Sequence, residues 1–351
     1  MLEVECRGSP RQIGIQHGRA ASKQISGSIA FYADLFKKYT GKTWDDVLPI
    51  AQTFANSILQ KWPSYFQEIE GIAHGSGNDT LDIIALNVRT EIAFGLLSEN
   101  HRSDGCTTVS WASCGQYFLG QNRDWMEEQK QNLLLLTIVS DDAPTKKMVT
   151  EAGILGKIGL NSAGVGVCLN AIRARGYSDT RLPVHLALRV ALDANSAAEA
   201  AKTLEETGVG GAAHILVADC QETISLEFTF ENCIRLLPDE RGVLLHTNHM
   251  RGLHRSIDES PEEDSFARME RIQVLTDEVL SSREKLSLHE FAGLFDDHDG
   301  FPQSICRSQQ EPSEDTTVFN IVMDLQLKIA RVRLGRPCCV ENEYILSFQD
   351  Y

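Results

Sequence analysis

The chain has 351 residues, 42% of them hydrophobic, and 33 Lys and Arg against 49 Asp and Glu give a formal net charge of −16. That length and apolar content bury a sizeable core in one large domain or two modest ones, and the negative field repels phosphate backbones and anionic membrane surfaces, so nucleic acid and bilayers are excluded as partners. The start MLEVECRGSPRQIG lacks the basic and apolar regions of a secretory signal, and the longest apolar run, Leu133 to Val139, falls far short of the ~20 residues a membrane helix needs, so a soluble, cytoplasmic protein is expected.

The first hundred residues read as helices. Ile13 and Ile15, then Ile25, Ile29, Tyr32, Ala33, Leu35 and Phe36 recur at helical spacing up to a stop at Thr40-Gly41. A second run starts from Thr43 as a cap, carries Val47, Ile50, Ala51, Phe54 and Ile58 on one face, and breaks or kinks at Pro63. A third follows Asp79 and Thr80. After Gly105 the pattern changes to short β-prone runs: TTVSWA, QYFLGQN, NLLLLTIVS, KKMVTEA and KIGLNSAGVGVCLNAI. Helical stretches over 183–206 and 263–281 flank AAHILVADC, TISLEFTF, CIRLLPD and GVLLHTN, and the chain ends on TTVFNIVMDLQLKIARVRL and a strand near Tyr344 to Phe348. Strands in clusters and helices in clusters predict an α+β fold, antiparallel sheets covered by helices, rather than a parallel doubly wound sheet.

Nine cysteines, an odd count with no CxxC pair, argue against a disulfide framework and a zinc knuckle, and most read as small buried hydrophobes. His246 and His249 fall on opposite faces of an extended segment, and DDHDG places Phe295 where a calcium loop needs its first carboxylate. No metal and no cofactor are expected.

Gly105-Cys106 stands at the boundary between the helical and β-rich parts. A thiol attacking the carbonyl of the preceding residue needs a close geometry that a Cβ obstructs, and Gly has none. Cleavage there frees an α-amine on the residue that carries the thiol. An α-amine ordinarily titrates at about 7.7 to 8.0, so it is a general base near neutral pH. On composition alone the same two residues read first as a small buried Cys at a strand start after a turn Gly.

DGCTT, GQNRDW at 120–125 and NLLLLTI at 132–138 resemble the acyl-coenzyme A:isopenicillin N acyltransferase family of autoproteolytic N-terminal-nucleophile (Ntn) enzymes, and HTNH at 246–249, DHDGFPQSICR at 297–307, TTVFNIVMD and ARVRLGRP extend the likeness from QHGR at 16–19 almost to the end of the chain. The resemblance implies an αββα four-layer sandwich with two antiparallel sheets. It also implies a precursor cut between Gly105 and Cys106 into an α-subunit of residues 1–105 and a catalytic β-subunit of 106–351, which stay together as a heterodimer. Carried onto this chain, Cys106 is the nucleophile, Asp124 holds the new α-amine, Asn248 stabilises the oxyanion, and Arg307 assists processing and anchors substrate, with Ser304 and His298 weaker candidates in its loop. Arg123 departs from the family pattern, where an aromatic residue stands, and joins the substrate-binding candidates by its closeness to Asp124.

The implied reaction is transfer of an acyl group from a small amide, or from a coenzyme A thioester as co-substrate, through a Cys106 acyl-enzyme to an amine or water. The alternatives are a β-alanyl or aminoacyl amide hydrolase, an unprocessed relative with a binding role, and a papain-like hydrolase pairing Cys106 with His246 or His249.

Overall fold

The computed structural model describes residues 1–96, 105–254, 257–282 and 285–348, so Ser103 and Asp104 of the SDGCTTV motif lie outside the described residues. The chain opens with β1 (Leu2–Arg7), whose alternating burial puts Val4 and Cys6 inside. Six helices follow: α1 (Pro10–Ala20), α2 (Ser22–Thr40), α3 (Trp44–Lys61), α4 (Pro63–Ser76), α5 (Thr80–Asn87) and α6 (Arg89–Gly95). The stops stand where the residues predict them. Gly41 closes α2 at φ 70°, the left-handed conformation that favours glycine, and Thr43 caps α3 while its N–H donates to Asp46 Oδ2 at 2.8 Å. Pro63 starts α4 rather than kinking α3, because its missing N–H costs nothing at a first helical position.

The rest supplies β2 (Cys106–Ser113), β3 (Gln116–Trp125), β4 (Leu133–Val139), β5 (Lys146–Glu151), β6 (Ile158–Asn161) and β7 (Gly166–Ala171), then α7 (Val184–Asp193) and α8 (Ala197–Thr207). After these come β8 (Ala213–Ala218), β9 (Thr223–Phe228), β10 (Cys233–Leu236), β11 (Val243–His246), α9 (Glu263–Ser282), α10 (Leu288–Gly293), β12 (Thr316–Asp324), β13 (Ile329–Leu334) and β14 (Asn342–Leu346). The strands form an eight-stranded sheet ordered β1-β4-β5-β6-β7-β8-β9-β10 and a six-stranded sheet ordered β11-β2-β3-β12-β13-β14.

The two sheets face each other through β2 and β3 against β7. Helices α7 and α8 cover the outer face of the larger sheet, and α9 and α10 that of the smaller, which makes four layers. Period-2 alternation sorts the residues: Val109 and Trp111 of β2 and Phe118 of β3 pack under Phe291 and Phe295, while Leu119, Ile321 and Met323 join the core between the sheets. That inner layer is partly polar. Thr108 donates to Asn170 Oδ1 at 2.9 Å, Ser110 bonds Thr223 at 2.8 Å, and Gln121 spans to both backbone groups of Leu169.

One pairing departs from the expected antiparallel sheets. β1 lies parallel to β4, Leu2 opposite Leu134 through Arg7 opposite Val139, so the larger sheet is antiparallel except at that edge and residues 1–105, mainly helical, also contribute a strand. The polar reading of the first residues hid the alternation in LEVEC.

Helix α1 meets α4 backbone to backbone through Gly14 and Gly18 on one and Gly71 and Gly75 on the other. A Cβ on Gly14 would sit 2.0 Å from the Glu68 carbonyl oxygen, and one on Gly71 2.4 Å from that of Arg11. Overpacking costs typically about 1–3 kcal/mol, and here the obstacle is backbone that cannot rotate away. Gly14→Ala is therefore expected to lower the urea midpoint of unfolding by the equivalent of about 2 kcal/mol or more. Gly41→Ala, with nothing within 4 Å of its Cβ, should lose only the ~1 kcal/mol of a left-handed alanine.

Candidate active site

Cys106 is the first residue of β2 and is buried, opposite Arg123 in the β2–β3 ladder. The ladder extends one step further: the Asp124 N–H donates to the Gly105 carbonyl oxygen at 2.9 Å. Gly105 has no room for a side chain, since a Cβ there would lie 2.7 Å from Asp124 Oδ2 and 2.9 Å from Arg307 Nε.

The segment just after β11 and the first turn of α9 bring in the second group. The Cys106 N–H donates to Asn248 Oδ1 at 2.7 Å, and Asn248 Nδ2 donates to the Ala171 carbonyl at 3.0 Å. Ser265 Oγ accepts the Asn248 N–H at 2.8 Å, which ties the HTNH segment to α9. Arg268, one turn along α9, donates to the Cys106 carbonyl at 2.7 Å, to Thr107 Oγ1 at 3.2 Å and to Asn248 Oδ1 at 3.0 Å. With two donors on Oδ1 and an acceptor at Nδ2, the orientation of the Asn248 amide is over-determined.

The third group comes from the loop 297–307. Arg307 is held by backbone bonds to Thr316 and Thr317, and its guanidinium pairs with Asp264 Oδ2 and lies 3.5 Å from Asp124 Oδ2. Asp264 also takes Arg268 Nε at 3.0 Å, so one carboxylate serves two arginines. Asp124 Oδ1 accepts from Thr317 Oγ1 at 2.6 Å, whereas Oδ2 has no hydrogen bond. Burial raises the Asp124 carboxyl above its ordinary range, although Arg307, Arg268, Thr317 and Arg123 all pull it down.

Of the residues singled out from the sequence, Gly105, Cys106, Asp124, Asn248, Arg123 and Arg307 stand within one another's reach. Arg123 Nη1 lies 3.6 Å from Cys106 Sγ and 2.6 Å from the Asp124 carbonyl. It also borders a cavity of about 10 Å³ with Trp125, Glu151 and Lys157, room for a water molecule rather than an acyl chain. Ser304 donates to the Cys306 carbonyl at 2.9 Å and shapes its own loop, and His298 is exposed beside Phe301. His246 is engaged by Glu227 and the Thr247 carbonyl, both at 2.8 Å, and stacks on His214, while His249 Nδ1 meets Ser265 Oγ at 2.8 Å. The acidic stretch from Asp258 to Asp264 reads from the sequence as an exposed turn, yet Asp264 is buried in the first turn of α9, and Arg268 escaped the sequence reading. Their spacing of four on a helix was the signal, but such a pair is ordinarily a solvated one.

The family model described as acyl-coenzyme A:6-aminopenicillanic acid acyl-transferase matches residues 111–338. Over its whole length the chain is 39% identical to the 40 kDa form of acyl-coenzyme A:6-aminopenicillanic-acid-acyltransferase of Emericella nidulans, covering 97% of that protein. The chain belongs to this acyltransferase family. A more distant relative is the beta-alanyl-dopamine/carcinine hydrolase of Drosophila melanogaster, 23% identical over 64% of this chain and 60% of that protein. Among solved structures, a variant of the conjugated bile acid hydrolase of Clostridium perfringens superposes with a TM-score of 0.52 at 14% identity, covering 69% of this chain and 92% of that one, which shows the Ntn-hydrolase fold. As a member of the acyltransferase family the chain is an enzyme of acyl transfer and amide-bond chemistry. No helix among the described residues is long and apolar enough to cross a membrane.

Removing Asp264 leaves two buried guanidinium groups without their shared counter-charge. Breaking a buried pair in this way costs about 3–5 kcal/mol. Asp264→Ala should lose at least about 3 kcal/mol by chemical denaturation relative to the unsubstituted chain, and a loss under about 1 kcal/mol contradicts this network.

Proposed function

We propose that this family member is a self-processing cysteine enzyme that cuts its own Gly105–Cys106 bond and then carries acyl groups on Cys106. The observation that carries the reading is the setting of that bond. Its carbonyl oxygen is held by the Asp124 N–H, its nitrogen by Asn248 Oδ1, and its thiol lies beside Arg123.

In the precursor, Sγ adds to the Gly105 carbonyl carbon while the thiol proton passes to the Cys106 nitrogen, and the C–N bond breaks to leave a thioester. Water then hydrolyses the thioester, giving the Gly105 carboxylate, the free thiol and an α-amine. Asp124 Oδ2, buried, without a hydrogen bond and facing Gly105, supplies the acceptor that such an amine needs to keep its rotamer.

In the mature enzyme the α-amine takes the thiol proton, Sγ attacks the substrate carbonyl, and the proton goes to the departing amine or thiol. Asn248 spends one Nδ2 hydrogen on Ala171, and the second is the donor available to an oxyanion, a contribution worth a few kcal/mol in acyl transfer. The acyl-enzyme passes its acyl group to an amine or to water. The acyltransferase relative supports a coenzyme A thioester as donor and an amine as acceptor, and the Drosophila relative supports hydrolysis of a small aminoacyl amide as the second reading. A papain-like pairing has less support, because His246 and His249 are committed to Glu227 and Ser265.

Denatured intact mass and N-terminal sequencing test the proposal. The expected products are residues 1–105 and 106–351, the second beginning Cys-Thr-Thr, with Cys106→Ala remaining whole. An uncut wild-type chain after long incubation overturns it. For the cut enzyme, kcat/KM should rise with pH through an apparent pKa of about 7.5–8, as the amine loses its proton, and Asp124→Asn should shift that limb. A flat profile between pH 6 and 9 excludes the amine as base.

A further inference from the structure

The loop that presents Arg307 also brings a free cysteine against one on the turn between β13 and β14. Cys306, buried in the loop, and Cys338, exposed on the turn, have their Sγ atoms 3.3 Å apart, and a nitrogen of His298 completes a group whose ligand atoms all lie within 4.8 Å of one another. Other contacts brace the two segments, among them Arg336 Nη2 of the turn donating to the Cys306 carbonyl at 3.5 Å. Cys306 N–H donates to the Asp297 carbonyl at 2.9 Å, Asp297 is paired with Arg271 at 2.6 Å, and Arg336 of the turn lies over the Phe301 ring at 5.5 Å. None of the three takes part in the acyl-transfer site.

We propose that His298, Cys306 and Cys338 bind one Zn²⁺ ion, with water from the exposed side as the fourth ligand, and that the ion fastens the Arg307 loop to the β13–β14 turn. Two thiolates and an imidazole are a donor set for zinc, and Zn–S bonds of about 2.3 Å in a tetrahedron set the sulfurs roughly 3.8 Å apart. Reaching that geometry requires the exposed Cys338 to move out by about half an ångström. A disulfide instead needs the sulfurs to close to about 2.05 Å, a contraction of more than ~1 Å against the roughly half-ångström outward shift that zinc requires. On binding, two Zn–S bonds and one Zn–N bond form, two thiol protons leave to solvent, and nothing is oxidised or reduced.

The site brings together residues 32 apart, Cys306 and Cys338, with no short CxxC spacing, which is why counting cysteines along the chain pointed away from metal. The consequence for catalysis is positional. Arg307 follows Cys306 directly and pairs with Asp264 and Asp124, so pinning Cys306 restrains the arm that carries the guanidinium.

The test uses the full-length chain, reduced with a phosphine, stripped by chelator and titrated with Co²⁺. The expected result is a thiolate-to-cobalt charge-transfer band that saturates at one ion per chain and disappears when Zn²⁺ is added. Cys338→Ser, a change at an exposed position, should abolish the band with the circular dichroism spectrum unchanged, Cys306→Ser should abolish it too, and His298→Ala should weaken cobalt binding. Absence of the band in the wild-type chain overturns the proposal, as does a band that survives in Cys338→Ser. So does a chain that takes up no cobalt and, exposed to air, loses two hydrogens in a peptide linking Cys306 to Cys338.

Discussion

Arg268 and Arg307 reach the start of β2 from different segments and meet at one carboxylate, Asp264, in a region almost closed to water. Isolated charges in such a place cost several kcal/mol each, and the shared pairing with Asp264 offsets part of that cost. Here the requirement acts as a constraint on the backbone. Arg268 must lie where it also reaches the Cys106 carbonyl, and Arg307 where it also faces Asp124, so α9, the 297–307 loop and the β2–β3 ladder are held in one arrangement. The Gly105–Cys106 bond sits at their intersection, and the absence of a side chain at Gly105 is what lets Asp124 and Arg307 approach it.

The fold serves that intersection by rigidity. The two sheets are tied through polar side chains as well as apolar ones, with Thr108, Ser110 and Gln121 bonded across to the opposite layer. Buried polar groups of this kind are costly when unpaired, so they select one registry of sheet on sheet. On the far side, α1 and α4 approach through glycines on both helices, a contact that leaves little freedom for sliding. Cys106, at a strand end backed by such layers, has its position set by the scaffold rather than by a loop.

Much of this was legible before the structure. The helix stops at Gly41 and the cap at Thr43 depend on single residues and their neighbours, and nearly every strand after Gly105 follows an apolar run bounded by Gly or polar turns. The grouping of Cys106, Asp124, Asn248 and Arg307 rested on resemblance, and the folded chain brings them together. What escaped was the strand in LEVEC, too short and too charged to stand out, the glycine contact of α1 with α4, and the pair Asp264 and Arg268. Each of these takes its meaning from a partner far along the chain.

By itself, then, the amino-acid sequence determined the local order of helices and strands, the change from α to β at Gly105, and the family, because capping, periodicity and motif order are properties of neighbouring residues. Only the tertiary structure decided that Arg268 clamps the Cys106 carbonyl, that Asn248 turns its oxygen rather than its NH₂ toward the Cys106 nitrogen, that Ser304 serves its own loop, and that Cys306 meets Cys338. Those facts depend on which of many chemically equivalent donors and acceptors come within about 3 Å across the packed layers, and spacing along a chain does not encode that distance.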